Sequence, residues 1–457
     1  MATISAHGRG VGIAGALFLS GIASPLFGAD TSAPVVSPPP ASVLDSGDIA
    51  WMLVAAALVM LMTPGLAFFY GGLVRKKNIL SIVMQCFMIL CLVSLQWIFC
   101  GYSLAFGPDI GGVIGNLDWV GLAGVGMAPG PYAAHIPHRL FATYQMMFAV
   151  ITPALICGAF AERMRFSAFC IFSLLWATLV YAPVAHWVWG AGGFLGTSSP
   201  GCVGAVDFAG GIVVHINAGM AALAAVLVMG KRRGFPHQIS PPHNLPVAVL
   251  GAALLWFGWY GFNAGSALGA NALAVTAFLN THAAGAMSGL VWCLLDWLKF
   301  GKPTTLGMIT GAVAGLAAVT PAAGFVEISG AIWIGIAAGV VCWLSVTALK
   351  AKLNYDDSLD AFGVHGVGGL WGSLAVGLWA TQTANPAAKI NGLFYGHAAQ
   401  FFAQLKASAL VAVFSFVASW LLFKLVDHIV GLRVSTDEEN LGLDLSQHRE
   451  SGYTVID

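Results

Sequence analysis

Apolar runs about one bilayer long, separated by brief polar breaks, recur along this chain from residue 49 to residue 428. A helix needs about 20 mainly apolar residues to cross a hydrocarbon core. Eleven runs qualify, over 49–72, 79–107, 141–161, 166–194, 207–230, 245–267, 272–299, 306–321, 327–349, 362–382 and 400–428. The pattern predicts an all-α polytopic membrane protein with eleven transmembrane helices filling 48–430, followed by a polar tail over 431–457.

Loop charge orients these spans independently. The loops after the first, third, fifth, seventh and ninth runs carry twelve Lys or Arg residues, from Arg75 to Lys352. The alternate loops hold at most Arg139, Lys389 and Lys406. By the positive-inside rule the first set is cytoplasmic, so the expected tail is inside and the start of the first span outside. An odd number of spans is what that orientation requires. Ahead of the first run, residues 1–29 read as a signal peptide, with Arg9, an apolar stretch over 11–23, and small residues for cleavage after Ala23 or Ala29. The alternative is a retained short helix. Residues 30–47, with prolines at 38–40, read as an extracytoplasmic linker.

Composition agrees with the pattern and narrows the chemistry. Hydrophobic residues make up 58% of the chain and charged residues 8%, against ~25% charged in a soluble domain. Such a chain cannot cover itself with a charged surface. The 57 glycines suit helices that approach closely. A formal net charge of zero gives no basis for a nucleic-acid partner. The eight cysteines form no metal-binding spacing and read as packing residues.

Ionisable side chains inside a membrane are costly and therefore candidates for function. Asp207 opens the fifth run, His215 lies deeper in it, and His365 lies early in the tenth. Asp207 suits a helix N-terminus, where capping and the macrodipole stabilise a carboxylate, and an anion there also attracts cations. The two histidines fit three readings: buried hydrogen-bonded rings, ligands to haem or a metal, or the lining of a path for a small polar solute. Glu162 and Asp296 read as structural, pairing with Arg163, Arg165 or Lys299. His186, beside Trp187 and Trp189, reads as part of an interfacial aromatic belt, and His282 as a packing histidine. Phe148, Trp189, Trp259 and Phe262 lie in runs able to line one pathway, where ring faces would bind a cation.

The run Asp207-Phe208-Ala209-Gly210-Gly211, followed by Val213-Val214-His215-Ile216-Asn217, closely resembles the signature of the ammonium transporter family (Amt/Mep/Rh). Further matches follow in order: Thr63-Pro64-Gly65, Ala161-Glu162-Arg163-Met164-Arg165-Phe166, Trp259 to Ser266, Thr320-Pro321 and Phe362-Gly363-Val364-His365-Gly366. Tail residues Gly431-Leu432-Arg433-Val434 and Gly442-Leu443-Asp444 extend the resemblance. It implies an ammonium-transporter fold with an inverted 5+5 repeat, assembled as a homotrimer with one pore per subunit and no cofactor or enzymatic activity. Phe148, Trp189 and Ser266 match an outer site that recruits ammonium, with Asp207 supporting it. Phe148 and Phe262 match a stacked gate, His215 and His365 the paired histidines of an apolar pore, Trp259 a pore wall and Thr320 a lumen-side position. The implied partner at the cytoplasmic face is a PII-type signal protein, for which Asp356, Asp357 and Asp360 offer a surface. Tyr144 departs from the phenylalanine common at its position, and the 196–206 loop is longer than in short bacterial members. An ammonium sensor sharing the core and a bis-histidine haem protein are the alternatives, although the short tail leaves no room for a signalling domain.

Overall fold

The protein was analysed as a computed structural model that describes residues 44–197, 201–237 and 241–453. The expected leader and nearly all of the expected linker lie outside the described residues. Every apolar run is helical. The helices are α1 (Ser46–Leu73), α2 (Ile79–Phe106), α3 (His138–Phe160), α4 (Phe166–Trp189), α5 (Gly211–Met229), α6 (Leu245–Gly265) and α7 (Ala272–Phe300). They continue with α8 (Thr305–Val319), α9 (Ile328–Leu353), α10 (Phe362–Gly366 running into Val367–Trp379) and α11 (Ala398–Val430). Nine of these are long and apolar enough to cross a bilayer among the described residues, and α8 and α10 are the short ones. The first helix starts at Ser46, earlier than expected, because Asp45 accepts a hydrogen bond from Asp48 N at 2.8 Å and caps it.

Glycines decide how the two central helices meet. A Cβ on Gly219 of α5 would lie 2.2 Å from Gly366 Cα of α10, and one on Gly369 would lie 2.8 Å from His215 Cβ. The backbones therefore cross in direct contact, and this crossing carries His215 and His365 to the same place. Both helices open with a π-helical turn, Gly211–Ile216 and Phe362–Gly366, a feature that recurs at functional sites. Their predecessors α4 and α9 also contain one, at Ala177–Tyr181 and Ser345–Leu349. In each half an aspartate precedes the histidine by eight residues, Asp207 before His215 and Asp357 before His365. Both carboxylates accept from the first N–H groups of their helix. These matched features mark the two five-helix halves as repeats of one design.

Between α2 and α3 the chain forms two small hairpins, β1 (Asp109–Ile110) with β2 (Ile114–Gly115) and β3 (Pro129–Gly130) with β4 (Ala133–Pro137). His186 is fully buried beneath them rather than interfacial, with Nδ1 2.9 Å from Ala105 O and Nε2 2.8 Å from Asp109 Oδ1.

The opposite face is tied together by carboxylates. Glu162 does not pair with Arg163 or Arg165. It accepts from Arg75 N, Arg75 Nε and Asn78 Nδ2, and from Arg232 at 3.3 Å, joining three loops. Burial would raise its pKa, but the charges of Arg75 and Arg232 outweigh this and hold the carboxyl below the usual range. Arg163 instead donates to the carbonyls of Ala159 and Asp356 and to Ser358 Oγ. Asp296 accepts from Thr304 Oγ1 and Trp343 Nε1 rather than pairing with Lys299.

The tail docks on this face through α12 (Thr436–Leu441), capped reciprocally by Ser435 and Glu438. Helix α2 has no side-chain cap from Asn78; Asp444 supplies one from the tail, accepting from Ser81 N at 2.8 Å. Replacing Asp444 with Ala is expected to weaken tail docking by about 1 kcal/mol, the worth of a helix cap. Faster limited proteolysis near residue 440 is the readout, and an unchanged cleavage rate would count against the tail cap.

Candidate functional site: a gated apolar passage

The hairpin face opens into a cavity of about 160 Å³, lined by Phe106, Tyr132, Phe141, Gln145, Phe148, Trp189, Asp207, Phe208, Ser266 and Leu268. Four of the sequence-derived candidates, Phe148, Trp189, Asp207 and Ser266, thus meet in one place. The rings of Phe148 and Trp189 stand edge to face with centroids 6.0 Å apart. Asp207 is 7% exposed and its oxygens accept from Gly210, Gly211, Ile212 and Val213 N at 2.7–3.0 Å. Its carboxylate is therefore first a cap for α5, and its charge reaches the cavity through space. The Trp189 indole donates to Asp207 O at 2.8 Å, fixing the ring against the start of the helix. Tyr144 stands behind the cavity, its hydroxyl 2.8 Å from Phe262 O and 3.2 Å from Ser266 Oγ. The extra hydroxyl relative to phenylalanine is spent on the C-terminal end of α6.

Below the cavity, Phe148 and Phe262 lie with ring centroids 4.3 Å apart and close the way inward. Both are 1% exposed. Beneath Phe262 comes the His215 ring at 6.1 Å, and His365 follows at 5.2 Å with ring planes within 11° of parallel. A narrow space of about 10 Å³ runs beside them, and its remaining lining is Met62, Leu66, Phe69, Ile151, Leu155, Val214, Leu255, Trp259, Phe262 and Val313. Both ring nitrogens of His215, and Nδ1 of His365, have no hydrogen-bond partner. Leaving a buried polar group unpaired costs ~1–3 kcal/mol. Ring nitrogens left open in this way are free to donate to, or accept from, a small polar guest. Trp259 walls the space, and Thr320 lies behind it, accepting from the indole at 2.9 Å and donating to Leu316 O. Thr320 thus orients Trp259 and is absent from the lining.

His365 also lines a wider cavity of about 340 Å³ that opens toward the tail face beside Asp360, Lys350 and Arg232. Asp356 and Asp357 are each 1% exposed and offer no docking surface. Asp356 is held by Arg232, and Asp357 caps α10. Burial and then neighbouring Asp360 push the Asp357 carboxyl up to about 6, against the pull of Lys350. Asp360 is the partly exposed one, paired with Lys350 at 2.6 Å. Sequence reasoning missed Gln145, Tyr132 and the role of Asp357. The repeated Asp-to-His spacing was the one signal that pointed to the last.

The sequence profile of the Ammonium Transporter Family matches residues 50–453. The chain belongs to the ammonium transporter family. Within that family it is 52% identical over 410 residues to the ammonium transporter of Bacillus subtilis, covering 90% of this chain and 99% of the relative. It is 49% identical over 411 residues to ammonium transporter Amt1 of Archaeoglobus fulgidus, covering 90% of this chain and 100% of that one. Among solved structures it resembles Mep2 of Saccharomyces cerevisiae, with a TM-score of 0.80 and 38% identity over 86% of this chain and 88% of the other. It also resembles a structure named Sensor Amt Protein, with a TM-score of 0.79 and 28% identity over 88% and 98% of the two chains.

Proposed function

We propose that this family member moves ammonium across a cytoplasmic membrane, recruiting NH4+ in the cavity of Phe148, Trp189 and Ser266. The ion gives up a proton to solvent water in the outer cavity, near the gate of Phe148 and Phe262, and ammonia passes His215 and His365 toward the tail face. One observation carries this reading: a ring-walled cavity, a closed phenylalanine pair and two partnerless histidines lie in sequence along one apolar passage. Ring faces attract a desolvating cation by ~0.5–2 kcal/mol each, and the developing field of Asp207 adds to that attraction. Potassium is nearly the size of ammonium, so width cannot separate them. An apolar lumen penalises every ion; ammonium alone can shed a proton and continue as a neutral donor and acceptor.

In the same reading three protomers form a homotrimer, each with its own pore. The N-terminus left after signal cleavage lies outside and the tail inside, a reading that loop charge supports, and a PII-type protein binds the tail face near Asp360. An ammonium sensor is the second reading, favoured by the similarity to the sensor structure. A haem reading fits the geometry poorly. The space beside the two rings is about 10 Å³, room for little more than one water-sized molecule and not for a porphyrin.

The test is reconstitution in liposomes, with charge movement and internal pH followed after pulses of ammonium or potassium. Ammonium is expected to evoke flux and potassium none. Flux no greater than in protein-free vesicles would overturn transport and leave the sensor reading.

A further inference from the structure

We infer that Asp109 and His186 are a positioning pair for the outer cavity, a contact between hairpin and helix that aims Trp189 at the incoming ammonium. The inference rests on the recruitment role proposed above and adds what holds that ring in place.

His186 lies one turn before Trp189 on α4 and is fully buried. Its Nδ1 stands 2.9 Å from Ala105 O at the end of α2, and its Nε2 2.8 Å from Asp109 Oδ1 on β1. Both partners are acceptors, so the ring donates from both nitrogens. Asp109 also accepts from Gly112 N at 2.8 Å, closing the turn between β1 and β2. Desolvation would raise its carboxyl, but the bonds from His186 and Gly112 outweigh this and hold it below the usual range. After Trp189 the chain doubles back over the pair. A Cβ on Gly192 would lie 2.6 Å from Asp109 Cβ, and one on Gly193 would lie 2.0 Å from His186 O, so only glycine fits at either place. Phe194 N then donates to Gly112 O at 3.2 Å, locking this strap to the hairpin.

Trp189 is thereby held from both sides along the chain. Ahead of it stands the His186 contact, and behind it Ala191 N donates to the Tyr132 hydroxyl at 3.1 Å. The indole N–H fixes one corner of the ring on Asp207 O, and about that single bond the ring could still pivot. The backbone ties remove this freedom. A ring attracts a cation only within ~6 Å of its centroid, so a pivot of Trp189 would withdraw one wall of the recruitment site. Asp109 is absent from the cavity lining and acts through Trp189. The competing role is that of a bare charge, because an anion on the outer face draws cations whatever its exact geometry.

Two variants in the same liposome assay, with the ammonium concentration varied, separate shape from charge. Asp109→Asn keeps the shape: its NH2 can donate to Nε2 of a neutral His186 ring while its oxygen accepts from Gly112 N. Its half-saturating ammonium concentration is expected to stay within about twofold of wild type. Asp109→Glu keeps the charge but carries the carboxylate one methylene away from its place. Its half-saturation is expected to rise about fivefold, the worth of one ring face, with maximal flux within about twofold of wild type. The inference is overturned by the reverse order, by a Glu variant at wild-type half-saturation, by an Asn variant that does not fold, or by a loss of maximal flux alone, which a merely structural role would give. If the Glu variant does not fold, Asp109→Ser decides on the same readout, since its hydroxyl can still accept from Gly112 N but is too short to reach His186. Unchanged half-saturation there overturns the inference. A wild-type protein without ammonium flux would instead defeat the transport reading itself.

Discussion

His215→Ala is expected to lower ammonium flux about 30-fold while leaving the protein folded. The figure follows from losing one hydrogen-bonding partner inside an apolar lumen, ~2 kcal/mol at the point of highest energy. The imidazole touches no protein donor or acceptor through its ring nitrogens, so truncation strands no buried partner and thermal stability should change little. The two rings stand 5.2 Å apart and are expected to act as one unit. His215→Ala/His365→Ala should therefore lose scarcely more than either single variant. Potassium stays excluded, since the wall beside the rings is built from leucine, isoleucine, valine and aromatic side chains. Solid-supported-membrane electrophysiology with ammonium against potassium reads both quantities. Ammonium flux and selectivity equal to wild type would remove the histidines from the pathway.

Why the sequence revealed some of this and concealed the rest has a physical explanation. The spans were legible because a bilayer demands a fixed length of apolar helix, and each run supplies it without help from distant residues. Asp207, His215 and His365 stood out as ionisable groups inside apolar runs, and their roles, with those of Phe148, Trp189 and Ser266, came through resemblance, while their meeting depended on an invisible feature. Counted from Asp360, His365 belongs near the tail face. It reaches His215 because α5 and α10 each start part-way through the bundle and cross backbone to backbone at Gly219 and Gly366. Long-range partners were equally hidden. His186 reads as interfacial from Trp187 and Trp189, yet Asp109, 77 residues upstream, buries it. Glu162 has arginines beside it in sequence, but the left-handed backbone at Glu162, with φ 75°, turns its carboxylate toward Arg75 and Arg232. The hairpins between α2 and α3 are too short for an alternating pattern to announce them.

The same contrast between local and remote partners sets the expected behaviour of Asp207. Asp207→Asn should destabilise the protein by about 2–4 kcal/mol, because two of four backbone N–H groups would face an amide NH2 in place of an oxygen. Those four groups are the N–H of Gly210, which caps α5, and the first three of the helix itself, which carries His215 only a few residues farther on. Loosening that turn displaces the ring and, through the Trp189 indole bonded to Asp207 O, the wall of the outer cavity. Thermal unfolding in detergent should therefore fall by several degrees, and flux should fall together with it. If Asp207 acted only as a distant charge, Asn would weaken ammonium half-saturation with no loss of thermal stability, and that outcome would refute the capping role. Asp357, which accepts from only Ala361 and Phe362 N, offers the internal comparison. Its Asn variant can keep one of those two bonds through the amide oxygen, and it sheds a carboxyl that burial already disfavours as an anion. The loss at Asp357 is accordingly expected to be the smaller of the two, although both aspartates stand the same distance ahead of their histidines.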